Sequence, residues 1–122
     1  MSILQEAEIM TVVRLDTRRI TDWESFHDVF AELFHFPGYY GRNLNAWIDC
    51  MTCLDEPHAE LSPIQTSPDD VVVIHLEDSD DFIRRCPEQY AAIIECSSFV
   101  NWRQIEEGRP PILALSFYRS NF

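Results

Sequence analysis

Asn45, Asp49 and Thr52 recur at i, i+4 and i+7, a spacing that on a helix puts an amide, a carboxylate and a hydroxyl on one face. Just before them, Gly38 and Gly41 bracket Tyr39 and Tyr40. A lone carboxylate beside tyrosines has no nucleophile to activate, but it is well suited to recognition. Tyrosine offers a broad, rigid contact with a polar tip, and a carboxylate pairs strongly with arginine or lysine. Together they suit a basic, phosphate-binding surface on another protein. The plainer alternatives are that Asp49 is a solvated acid on an outer helix face and that Tyr40 is half-buried in support of its loop.

Other reactive groups are present without a supporting pattern. Cys50-Met-Thr-Cys53 is a C-x-x-C, but a redox motif should open a helix, where the dipole lowers the thiol pKa. Here it falls late in a helical pattern. As half a zinc site it lacks a second pair, since Cys86 and Cys96 are widely spaced. His58-Ala-Glu60 follows the C-x-x-C, whereas zinc deaminases place H-x-E before it. His27, His35, His58 and His75 have no spacing that pairs one with a nucleophile, and His75, inside an apolar run, reads as a satisfied core histidine. No G-x-S-x-G, phosphate-binding glycine loop or H-E-x-x-H occurs. The expectation is structural cysteines, no catalytic residue, no metal and no cofactor. The alternative is a small thiol- or zinc-dependent enzyme using Cys50, Cys53 and His58.

The elements that must position these residues follow from periodicity. Thr11–Leu15 is short, apolar and β-branched, a first strand. Thr21 with Glu24 fits a capping box, and Trp23, Phe26, Phe30, Leu33 and Phe34 mark the buried stripe of a first helix. Pro37 stops it, and Gly38 and Gly41 allow backbone angles that other residues resist. From Asn43, Leu44, Trp47, Ile48, Met51 and Leu54 give a second helix its apolar side. Asp55–Asp70, with three prolines, reads as a long loop. The run Val71–Leu76 is continuously apolar, as in a parallel strand buried on both faces. Ser79 or Asp80 can cap a short helix through Phe82, Ile83 and Cys86, and Pro87 opens the next, with Tyr90, Ile93 and Ile94 inward. Ser97-Ser98 is a possible interruption before Phe99, Trp102 and Ile105, Gly108 suits the C-terminal cap, and Ile112–Tyr118 is the third strand. This order implies an α/β fold in one domain over residues 1–122, a three-stranded parallel sheet covered by about four helices.

The balance of charge bears on partners. Among 122 residues, 21 acids face 9 bases, all of them arginine, for a net charge of −12. Between Arg42 and Arg84 there are ten acids and no base. Such a field repels nucleic acid and anionic lipid and attracts a basic protein, although acidity also serves solubility alone. No apolar run approaches a membrane span and residues 1–10 are no signal peptide, so a cytoplasmic chain with reduced thiols, monomeric when free, is expected.

Tyr39-Tyr40-Gly41-x-Asn43-Leu44-x-Ala46, followed by Asp49-Cys50, resembles the signature of the barstar family, small acidic inhibitors that plug the active site of a secreted ribonuclease. The resemblance implies the same element order. It also implies an intracellular immunity protein that occludes the active site of a basic toxin, a nuclease, with a carboxylate standing in for a substrate phosphate. That role maps onto Asp49, with Tyr39, Gly41 and the Asn43 backbone alongside. Two positions depart from the family's pattern: Asn45 stands where a second aspartate is usual, and Ile48 where a tryptophan is, the indole having moved to Trp47. The implied partner-binding set is Tyr39, Tyr40, Gly41, Asn43, Asn45, Ile48, Asp49 and Thr52. A further acid of the family, on the last helix, has three neighbours in Arg103, Glu106 and Glu107, and none is singled out. An acidic module binding some other basic protein is the remaining alternative.

Overall fold

Runs of β-branched residues, Thr11–Val13 and Val71–Ile74, favour extended backbone in the first two strands. A computed structural model of the chain describes residues 10–54 and 70–120. Strand β1 (Met10–Asp16) leads through a short 3-10 turn (Thr17–Arg19) to helix α1 (Trp23–Phe34) and helix α2 (Leu44–Thr52). Strand β2 (Val71–Glu77), helices α3 (Ser79–Arg85) and α4 (Pro87–Glu106), and strand β3 (Leu113–Ser116) complete the order. The three strands form one parallel sheet in the order β1-β2-β3, with Val13 opposite Ile74 and Ile74 opposite Leu115. The expected architecture, a three-stranded parallel sheet packed by four helices, is therefore present.

The core joins every layer. Val13 and Leu15 of β1, Val72, Ile74 and Leu76 of β2 and Leu113 of β3 share one buried cluster with Phe26, Phe30 and Phe34 of α1 and with Trp47 and Met51 of α2. Phe82 of α3 and Ile93 and Val100 of α4 belong to it as well. Removing this apolar area from water is the main driving force of folding. Asn101 fastens α4 to the last strand: its amide donates to Leu113 O at 2.9 Å and accepts from Ile112 N and Leu113 N. The Arg85 guanidinium donates to Ile20 O and Thr17 O, tying α3 to the turn after β1. Among the described residues, no helix is long and apolar enough to cross a membrane.

Several local expectations are corrected. β2 is not buried on both faces: Val72, Ile74 and Leu76 are buried, while Val71, Val73, His75 and Glu77 between them are half-buried. The helices pack on one face only, and on the other Val12 is 52% exposed. His75 is accordingly not a core histidine, although its Nδ1 is satisfied at 2.8 Å by Ser116 Oγ of the neighbouring strand. The cap of α1 is Asp22, one residue later than Thr21, and its box partner is Ser25, because the Asp22 carboxylate reaches the Ser25 amide while Ser25 Oγ accepts from Asp22 N. Trp23 then falls at the first helical position and is exposed rather than buried. Neither Ser79 nor Asp80 caps α3, since Ser79 Oγ is engaged by Tyr118 and an Asp80 oxygen by Ser120 N. Ser97-Ser98 does not interrupt α4, which runs unbroken to Glu106 and ends, as expected, near a left-handed Gly108. Its outer residues Phe99, Trp102 and Ile105 are exposed. The Asp55–Asp70 loop lies outside the described residues, apart from Asp70.

Candidate docking face

Asn43 joins the tyrosine loop to α2. Its side-chain oxygen accepts from Ala46 N at 2.8 Å, the N-cap bond that satisfies one of the helix's unpaired amides. Its amide nitrogen donates to Gly41 O at 3.2 Å, so one side chain fixes both the helix start and the turn before it. Gly41 is favoured by space and not by backbone angle: a Cβ there would sit 3.2 Å from Asn43 Nδ2, close enough to push that side chain aside, and 3.5 Å from Ala46 Cβ. The left-handed conformation expected of the glycines falls instead on Arg42, at φ 55°. Arg42 is held there from α1, by an ion pair to Asp28 at 2.8 Å and a hydrogen bond to Glu24 O at 3.1 Å.

The two tyrosines divide their work. Tyr39 is 74% exposed, a free aromatic surface. Tyr40 is half-buried, its ring against Phe36 at 4.7 Å and its hydroxyl 2.6 Å from His27 Nδ1 of α1. Burial pushes the Tyr40 phenol above its ordinary value and the His27 imidazole below its own, the latter helped by the Arg42 charge. Both shifts favour a phenol O–H donating to a neutral imidazole nitrogen. Tyr40 therefore supports the loop. His27 is a residue that sequence spacing could not connect to it, since the pair spans two elements with no shared periodicity.

Asn45 and Asp49 stand exposed on α2 as the helical spacing predicts. Thr52 is half-buried, and its hydroxyl turns back to donate to Ile48 O at 2.6 Å, the usual fate of a threonine late in a helix. Ile48 is 7% exposed and belongs to the core cluster. Asp49 Oδ1 accepts from Arg103 Nη1 of α4 at 3.1 Å. A recess of about 290 Å³ opens between loop and helix, lined by Pro37, Tyr39, Tyr40, Gly41, Ala46, Asp49 and Cys50. Chemically this is a small, mainly apolar dimple with one carboxylate at its edge, a shape that takes the stem of a basic side chain while its charged head meets Asp49. Behind the loop, a wider cleft of about 780 Å³ lies between α1 and the start of α2, bordered by Trp23, His27, Asp28 and Arg42.

The thiol alternative fares poorly. Cys50 is buried, and that burial, with Cys53 and Asp49 nearby, pushes its thiol up to about 11. At neutral pH it stays protonated and a weak nucleophile. His58 lies outside the described residues.

Comparison with known proteins agrees with this fold. The sequence profile described as Barstar (barnase inhibitor) matches residues 10–116, from the first described strand through the last. A stretch of 43 residues is 42% identical to "Putative ribonuclease inhibitor YrdF" of Bacillus subtilis (strain 168), covering 35% of this chain and 47% of that relative. The chain thus spans about half the length of the curated relative it matches.

Proposed function

This chain belongs to the barstar family, and from that premise we propose that it is a non-catalytic inhibitor of a ribonuclease. It is an immunity protein that acts in the cytoplasm and blocks a basic toxin by occluding its active site. The carrying observation is the juxtaposition of exposed Tyr39, exposed Asp49 and the apolar recess between them on a capped, glycine-pinned loop. Asp49 occupies the place of a substrate phosphate by presenting an anion to the cations that would bind one. Tyr39 covers the rim of the active site, and Gly41, Asn43 and Tyr40 hold the loop to shape. Asn45 adds hydrogen bonding without charge, while Ile48, in the core, and Thr52, bonded within the helix, hold α2 in place behind the contact.

The test is inhibition of a basic secreted ribonuclease, measured by titration and by protection of cells that express it. One-to-one inhibition by the wild-type chain is expected. Asp49→Ala should weaken it by roughly 2–5 kcal/mol, a magnitude taken over from interfacial charge pairs of this family's own kind and not deduced from the present geometry. Asn45→Ala should cost less, since an amide leaves no charge unpaired. A folded Asp49→Ala protein that protects as well as wild type would remove Asp49 from the interface.

A further inference from the structure

Asp49 is paired before any partner arrives. Its carboxylate and the Arg103 guanidinium lie 3.1 Å apart, and neither forms another ion pair among the described residues. The two side chains remain 65% and 39% exposed, so both are open to a partner. At the other end of the loop, Arg42 is turned onto α1 by Asp28 and Glu24. Among the described residues about Asp49, the face that would meet the ribonuclease therefore offers one carboxylate, the amide Asn45 and one outward guanidinium, with exposed Glu106 one turn beyond Arg103 on α4, in a chain whose net charge is −12. The Arg103 guanidinium offsets the Asp49 charge.

We propose that Arg103 is a specificity-determining residue of this face, an inference that rests on the inhibitor reading above. A site that binds RNA phosphates is lined with cations. Docked against a uniformly cationic site, Asp49 would gain a partner, but Arg103 beside it would face like charge and would still compete for the same carboxylate. The partner that fits places a carboxylate opposite Arg103 and a cation opposite Asp49, so that the intramolecular pair opens into two intermolecular ones. Arginine suits this role because its planar fork can hold Asp49 and a second carboxylate at once. Specificity then comes from repulsion of the wrong partner as much as from attraction of the right one.

Barnase serves as the probe of a ribonuclease built for an acidic inhibitor. Its dissociation constant is measured with the intact chain as wild type, Asp49→Ala, Arg103→Ala and Arg103→Glu, each first shown to unfold at the wild-type temperature. Wild type should bind weakly, Arg103→Ala several-fold more tightly, and Arg103→Glu at least tenfold more tightly, mostly through faster association at low salt. Arg103 variants that bind barnase no better than wild type, or for which no binding is detected in any form, overturn the inference. If Asp49→Ala loses binding while the Arg103 variants are unchanged, only the role of Arg103 falls. Loss of the inhibitor reading itself would show instead as failure to protect cells against any basic secreted ribonuclease.

Discussion

His27 and Tyr40 stand thirteen positions apart and meet at 2.6 Å, which places a titratable group directly under the docking loop. Burial holds the imidazole below its ordinary value near 6.5, with Arg42 acting in the same direction and Asp28 opposing. As pH falls, the unfolded chain therefore takes up this proton first. The stability contributed by His27 is complete above about pH 6.5 and is lost as pH drops toward the lower folded-state value. Asp16, Asp22 and Asp81, whose carboxyls are held below their usual range by hydrogen bonds from Arg18, Ser25 and Arg85, respond only in stronger acid. Urea unfolding should thus show lower stability at about pH 5.5 than at about pH 7. His27→Gln, which keeps a hydrogen-bonding side chain without the titration, should flatten that difference. An undiminished difference in the variant would assign it to another group. Residue-scale placement is only half legible in the sequence: the exposure of Asp49 and Asn45 on one helix face follows from spacing, whereas the His27–Tyr40 and Asp49–Arg103 partnerships are tertiary and leave no periodic trace.

At the scale of elements, α2 is a helix of only nine residues whose start depends on a single side chain. Short helices are marginal by themselves and take their stability from caps and packing. Asn43→Ala removes the cap on Ala46 N and the tether to Gly41 O together, and should cost about 0.5–2 kcal/mol in chemical denaturation. It should also weaken partner binding by more than the lost stability accounts for, because the loop and Asp49 are no longer held in one frame. Asn43→Asp, which restores the cap acceptor but not the amide donor, should recover most of the stability and less of the binding. Equal recovery of both would show that the tether to Gly41 is immaterial. Element types and order could be read from apolar periodicity, since every strand and helix falls where a run or stripe predicts. The failures have a common cause in tertiary context. The continuous run Val71–Leu76 does not disclose that all four helices pack on one face of the sheet. Nor does Thr21-Asp22 disclose which of two good capping residues the chain's entry angle selects.

For the whole molecule, the charge of −12 and the Asp49–Arg103 pair act at different ranges. Exposed acids are spread over α1 (Glu24, Asp28 and Glu32), the β2–α3 junction (Asp78) and α4 (Glu88, Glu95 and Glu106), with Glu106 one turn beyond Arg103. On the proposed reading the distributed field would draw a basic partner from a distance, and it is screened beyond about 8 Å at physiological salt. The contacts proposed for Tyr39 and Asp49 would form only on docking and resist screening. The association rate should therefore fall steeply as ionic strength rises, while the dissociation rate changes little. Asp49→Ala should do the reverse, raising dissociation with a smaller effect on association. Stopped-flow mixing with the cognate ribonuclease across a salt series separates the two. An association rate indifferent to salt would mean that the acidic surface does not steer the encounter and that its charge serves solubility alone.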